Sequence, residues 1–261
     1  MKFERIRRML SFTRRAVDDY NMIEDGDKIA VGVSGGKDSM ALLVTMHELS
    51  QFYPKKFELC AITVDSGFEG MDFSPVENLC RELGIPYYCV KTEISKIIFD
   101  IRKETNPCSL CARMRRGVLH DKVVEIGFNK LALGHHFDDV VGTFMLNLMY
   151  EGRLGCFSPV TYLSNKKITM IRPMIYAHES DVEYFMRGNE CIPIVKTTCP
   201  EDKHTERETV KQLLEDLDKT NVGLKHRIFT AIQSGNIDGF KMISKQERRS
   251  KRDEIKSQNK G

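Results

Sequence analysis

The hexapeptide Ser34-Gly35-Gly36-Lys37-Asp38-Ser39 lies between the β-branched apolar run from Lys28 to Ser34 and an apolar-periodic stretch through Met40, Leu42, Leu43, Met46 and Leu49. That order reads as a strand, a tight turn and a helix. It commits the chain to a sheet with helices layered on it. Two glycines strip the turn of side chains, so backbone N–H groups can close on an anion at a helix N-terminus whose dipole favours negative charge. Lys37 adds a point charge, and the hydroxyls of Ser34 and Ser39 add donors. The alternative is a glycine turn kept for packing. A Walker A loop is excluded, because Asp38 follows the lysine and Val31 stands where its first glycine would fall.

The alternation continues along the chain. Leu59 to Val64 and Tyr87 to Val90 read as strands around a helix over Ser74 to Leu83, capped by Ser74 with Pro75 in its first turn. A helical piece over Ile94 to Arg102 and a break at Asn106-Pro107 precede a long helix from Cys108 to about Ile126. Leu131 to Leu133 is a further strand, and Asp138 to Tyr150 a further helix. Val160 to Leu163 and Ile168 to Ile171 predict an antiparallel hairpin at the sheet edge. Helical patterns follow over Asp181 to Cys191, Glu206 to Leu217 and Leu224 to Gln233. The fold class predicted is α/β, a doubly wound, mainly parallel sheet with a small C-terminal helical subregion. The expected division is a basic N-terminal helix over 1–22, a nucleotide-binding domain over 23–178, a helical subregion with Cys199 over 179–240, and a basic, flexible tail over 241–261.

A second motif, Gly134-His135-His136-Phe137-Asp138-Asp139, closes a strand and opens a helix, at the same carboxyl edge of the sheet as the phosphate loop. Polyphosphate needs Mg²⁺, which takes carboxylate oxygens and water. Asp38 is the first candidate and the Asp138-Asp139 pair the second; Asp138 is equally readable as a helix N-cap, which leaves Asp139 and His135 as the better candidates to face a nucleotide.

Eight cysteines in 261 residues raise the question of disulfides. The N-terminal sequence has no apolar signal core, so free thiols or cofactor ligands are expected. Cys108 and Cys111 stand one turn apart where a helix begins, a position that depresses thiol pKa and suits one metal centre. A structural zinc would need a second close pair, and none is present: Cys191 and Cys199 are far apart, and Cys60, Cys80 and Cys89 fall in or beside core elements. Three thiolates would suit an iron-sulfur cluster with one iron open. Cys199 is the first choice as third ligand, with Cys191 and then Cys156 as fallbacks.

The net charge of +3 is too small to argue for nucleic acid, but its distribution is uneven. Arg5, Arg7, Arg8, Arg14 and Arg15 surround Phe3, Ile6, Leu10 and Phe12, a basic helix with one apolar stripe, and Arg113, Arg115 and Arg116 follow the cysteine pair. No run approaches the ~18 apolar residues of a membrane span, so no membrane partner and a cytoplasmic location are expected.

The loop Ser34 to Ser39 resembles that of the ATP pyrophosphatase (PP-loop) superfamily, which implies an adenine nucleotide alpha hydrolase-like fold and transfer of AMP to a carbonyl oxygen. With Cys108 to Gly117, Leu133 to Asp139 and Ile171-Arg172-Pro173, the chain resembles the tRNA 2-thiocytidine synthetase family over roughly residues 25 to 235. The resemblance implies thiolation of cytidine 32 in the tRNA anticodon loop, with ATP, Mg²⁺ and a 4Fe-4S cluster on Cys108, Cys111 and Cys199. ATP is then expected on Ser34, Gly35, Gly36, Lys37, Asp38, Ser39, Asp65, Gly134 and His135. Lys37, Asp38 and Asp139 become catalytic candidates, with Mg²⁺ on Asp38 and Asp139. Arg113, Arg115, Arg116, Arg7 and Arg8 become tRNA contacts. The expected partners are a sulfur donor such as a cysteine desulfurase and a second copy of the chain. Two rivals remain: another PP-loop ligase or uridine thiolase, and a zinc-stabilised RNA-binding module.

Overall fold

A computed structural model describes residues 1–102, 107–201 and 206–258. A six-stranded sheet organises it, with strands β1 (Asp27–Gly32), β2 (Phe57–Asp65), β3 (Tyr87–Lys91), β4 (Lys130–Ala132), β5 (Val160–Leu163) and β6 (Ile168–Ile171) in the order β3-β2-β1-β4-β6-β5. All neighbours are parallel except β5 and β6, which form the antiparallel hairpin at one edge. After β1 the chain builds outward through β2 and β3, then returns to lay β4 on the other side of β1. The direction of winding therefore reverses between β1 and β4, and the crevice at their carboxyl ends is where such sheets bind ligands.

Strand alternation sorts side chains between two layers. Ile29, Val31, Ala61, Ala132 and Ile171 face the larger core, whereas Ala30, Cys60, Ile62, Leu131 and Met170 face a smaller one closed by α5 (Pro107–Glu125) through Val123. The larger layer holds α1 (Ile6–Asp19), α2 (Lys37–Phe52), α3 (Ser74–Glu82), α6 (Phe137–Tyr150) and α7 (Glu179–Arg187). Because α1 and α7 both pack on α2, Leu42, Leu43, Met46 and Leu49 are fully buried, each stabilising the fold by about 1.5–3 kcal/mol. At the opposite end of the sheet, buried Lys130 donates to Asp27 at 2.6 Å and to the Met22 carbonyl at 3.0 Å, tying the start of β4 to the start of β1.

The chain extends through a short helix, α4 (Ile94–Lys96), that runs into a π-helical turn over Ile97–Ile101. The expected break before α5 falls partly on Asn106, outside the described residues. Near the C-terminus, α8 (Glu206–Thr220) and α9 (Leu224–Ser234) pack on α6, and Val210, Leu214, Phe229 and Ile232 join the larger core.

Two local expectations are corrected. Ser74 does not cap α3: it is the first helical residue, and its backbone N–H and hydroxyl both donate to Asp72 at 2.9 Å. Where a flexible tail is expected, Lys245–Gln258 form α10, seated on the end of α1 because Arg248 pairs with Asp19 at 3.0 Å and Lys251 donates to the Asp19 carbonyl at 2.8 Å. Two cations there meet a helix C-terminus and its carboxylate, which is favourable.

Candidate active site

The phosphate loop leaves β1 and enters α2 with its own hydrogen bonds already made. Ser34 N–H donates to the Ser39 hydroxyl at 3.1 Å, and that hydroxyl donates to the Gly36 carbonyl at 2.9 Å. Gly35 turns the chain at φ 84°, and a Cβ there would sit 2.7 Å from Cβ of Val195. Gly134, just past β4, permits a second, slightly looser approach, since a Cβ there would lie 3.1 Å from the Asp38 backbone. Lys37 points to Glu179 at 2.8 Å and to Asp38 at 3.1 Å.

A cavity of about 630 Å³ opens from this loop. Ser34 and Gly36 form one side, Phe68, Phe73 and Phe99 contribute an apolar wall, and Cys108, Cys111 and Cys199 line the far side. The first two thiols come from the opening turn of α5. The third is delivered by a segment tied to the loop: Val195 N–H donates to the Gly35 carbonyl at 2.9 Å and the Thr198 hydroxyl to the Glu69 carbonyl at 2.9 Å. Neither Cys191, which is exposed, nor Cys156, whose thiol burial pushes up to about 12, lines the cavity. The expected depression of the paired thiols is not found. Desolvation, then the Cys199 thiol beside it, pushes Cys108 up; Cys111 is pushed up by burial against the lowering effect of Arg115.

The aspartates divide differently from the sequence-based expectation. Asp138 is not the N-cap of α6; that position is His136, and Asp139 closes the cap by accepting the His136 N–H at 2.9 Å. Asp138 instead accepts the Glu179 N–H at 2.8 Å and Lys225 at 3.1 Å, joining three helices. Asp38 and Asp139 approach the same His136 Nε2, at 3.8 and 3.5 Å, and share a smaller cavity of about 190 Å³. Asp65 turns away. Alternation along β2 aims Val64 and Ser66 at the large cavity, while the Asp65 carboxylate takes the Gly67 N–H at 2.9 Å. His135 also lines neither cavity, stacking on Phe157 at 4.8 Å with its pKa pushed down to about 4 by burial.

Of the arginines, Arg115 lines the thiol cavity, and none of Arg113, Arg115 and Arg116 is in an ion pair among the described residues. Arg7 is exposed, but Arg8 is spent on Asp181 at 2.7 Å. Glu179, Arg207, Lys211 and Lys225 were missed. The only sequence signal for two of them is the four-residue spacing of Arg207 and Lys211 on an expected helix.

Comparison with known proteins identifies the family. The PP-loop domain family matches residues 6–217. A tRNA-cytidine(32) 2-sulfurtransferase of Syntrophotalea carbinolica is 40% identical over 88% of this chain and 89% of its own. The chain belongs to the PP-loop tRNA-cytidine(32) 2-sulfurtransferase family. The relative in Geobacter sulfurreducens is 39% identical over 89% of this chain and 91% of its own. Among solved structures, the U34-tRNA thiolase NcsA from Methanococcus maripaludis with its 4Fe-4S cluster superposes with a TM-score of 0.72 at 28% identity, covering 86% of this chain and 78% of that one. Among the described residues of this PP-loop chain, no helix is long and apolar enough to cross a membrane.

The donor sets can be tested against the groups such a family implies. No three His, Cys, Asp or Glu side chains among the described residues close on one ion. A 4Fe-4S cluster does not ask for that, since each cysteine binds a different iron, and three thiols facing one cavity fit it. Mg²⁺ is commonly held by one or two carboxylates plus substrate phosphates, which Asp38 and Asp139 beside the loop also fit.

The site's electrostatics predict an acid limb in stability. His135 is depressed from 6.5 to about 4, so its contribution is complete above about 6.5 and is lost as pH falls through 4. Burial works against the Glu179 carboxylate, but hydrogen bonds from Lys37 and Lys211 outweigh it and hold the group near 2, below its ordinary 4.5. Its contribution is lost between those values. Urea midpoints should fall from pH 6.5 downward, and His135→Asn should flatten the limb between 6.5 and 4; a wild-type midpoint constant over that interval would contradict this account.

Proposed function

We propose that this chain thiolates a tRNA anticodon-loop base, cytidine 32, by adenylating its C2 oxygen with ATP and replacing that oxygen with sulfur. The observation that carries the reading is the single cavity shared by the phosphate loop and three cysteines. ATP lies with its phosphates on Ser34 to Ser39, where loop N–H groups and Lys37 offset their charge. Asp38 and Asp139 would hold Mg²⁺, which would offset further phosphate charge. The C2 oxygen attacks the α-phosphorus, the bond to the bridging oxygen breaks, and pyrophosphate leaves. The adenylated base then carries AMP as its leaving group.

Cys108, Cys111 and Cys199 hold the 4Fe-4S cluster. When bound, it supplies the sulfide that takes the place of the C2 oxygen. That oxygen departs on AMP. Free sulfide replenishes the sulfur directly; a cysteine desulfurase does so as a persulfide, from which a thiol reductant releases sulfide and is itself oxidised to a disulfide. Phe68, Phe73 and Phe99 limit water at the reacting carbon, which protects the adenylate from hydrolysis.

A site recessed in a cavity demands that the base leave its stack, which single-stranded anticodon loops permit. Arg113 and Arg116 on α5, without an ion pair among the described residues, and Arg7 contact tRNA phosphate. Arg115 sits on the cavity beside Cys111 and faces the reacting groups. Arg8, held by Asp181, contributes through α1's seating on α7.

The test is an anaerobic reaction with tRNA, ATP, Mg²⁺ and sulfide, read by nucleoside mass spectrometry and by AMP release. Expected is 2-thiocytidine formed with matching AMP, both requiring tRNA. Thiolated uridine instead would assign the chain the chemistry named for the Methanococcus maripaludis thiolase, and AMP without any sulfur incorporation would favour a ligase.

A further inference from the structure

Positive charge reaches the phosphate loop from a helix far along the chain. Glu179, the first residue of α7, holds Lys37 at 2.8 Å on Oε1 and Lys211 of α8 at 2.9 Å on Oε2. The loop's lysine is thus already occupied, and the carboxylate that occupies it is shared with a second lysine. Arg207, one turn before Lys211, is exposed and has no ion pair among the described residues. It lines both the thiol cavity and the smaller cavity of Asp38 and Asp139. Glu208 on the same turn offsets part of this charge. Asp38 and Asp139 are the carboxylates already assigned to magnesium, which leaves Glu179 as an acid here without a use in the reaction.

We propose that Lys211 and Arg207 form a second phosphate-gripping pair, for the β- and γ-phosphates of ATP and the departing pyrophosphate, and that Glu179 is a placeholder displaced when polyphosphate arrives. The inference rests on the reading of the loop as an ATP site. Hydrogen bonding from Lys37 and Lys211 holds Glu179 far below its ordinary range, and contact with Glu179 raises both lysines against the effect of burial. All three therefore stay charged near neutrality. A phosphate oxygen entering between the lysines takes the place of the carboxylate as their ion-pair partner.

The experiment is calorimetric titration of inorganic pyrophosphate into the full chain, with EDTA and then with Mg²⁺, alongside thermal melts. Lys211→Met should weaken pyrophosphate by about tenfold or more, the value of a charged hydrogen bond, and Lys211→Arg should restore most of it. Glu179→Gln should tighten pyrophosphate in EDTA, because it removes the competitor. A purely structural tether would weaken binding and lower the melting temperature in both Lys211→Met and Glu179→Gln, and that pattern overturns the proposal. Tightening that turns into weakening once Mg²⁺ is present would make Glu179 a metal ligand, and it also overturns the placeholder. Wild type that binds while Lys211→Met is unchanged rejects this inference alone. Wild type that binds no pyrophosphate under either condition rejects the ATP reading with it.

Discussion

Cys199→Ala is expected to abolish both iron retention and tRNA thiolation, while Cys191→Ala leaves both near wild type. The two cysteines lie eight positions apart, and only one faces the cavity shared with Cys108 and Cys111. Loss of residues that merely orient a metal's ligands costs 10–100-fold, so loss of a ligand should cost roughly a hundredfold or more in thiolation. Iron and sulfide analysis after anaerobic purification provides the check, with Cys108→Ala as the positive control. Equal iron in wild type and Cys199→Ala would remove Cys199 from the ligand set. Loss of iron in Cys191→Ala instead would mean that the 195–199 segment is seated differently.

Gly35→Ala should disable the loop and loosen Cys199 together. The residue stands at φ 84°, which costs a non-glycine roughly 1–2 kcal/mol, and the added methyl would lie 2.7 Å from Val195 Cβ. Relief requires the loop or the Val195 segment to move, which breaks the 2.9 Å bond from Val195 N–H to the Gly35 carbonyl. Gly26→Ala separates the two effects, since its φ of 80° is similar and nothing lies within 4 Å of its added methyl. Both variants should lose a few degrees of melting temperature. Only Gly35→Ala should lose AMP formation, by roughly a hundredfold, and retain less iron. Activity in Gly35→Ala equal to that of Gly26→Ala would show that the loop and the Cys199 segment are not coupled.

The phosphate loop was legible because its chemistry is contiguous: strand, two glycines, lysine and helix follow one another, and local backbone preference sets their geometry. The edge hairpin and the parallel order were legible for the same reason, through periodicity and the rule that strands joined by helices run parallel. Reading failed where a choice between neighbours depends on what lies across space. Asp138 and Asp139 are adjacent and line the same small cavity, yet one accepts Lys225 while the other closes the cap at His136. Asp65 ends the right strand but points off the cavity, because one step along a strand reverses the face. Arg7 and Arg8 look alike in a basic helix until Asp181 claims the second.

The sequence by itself determined the class of chemistry, namely an anion-binding turn, a thiol pair at a helix start and acids at the same sheet edge, because each is encoded by residues within one turn or strand of each other. The tertiary structure alone decided which third cysteine, which aspartate and which cations meet there. Glu179 is 142 positions from Lys37 and 32 from Lys211, and the contacts that gather them are ion pairs of about 3 Å. Such contacts fall off over ångströms of space and are indifferent to distance along the chain, so no local pattern records them.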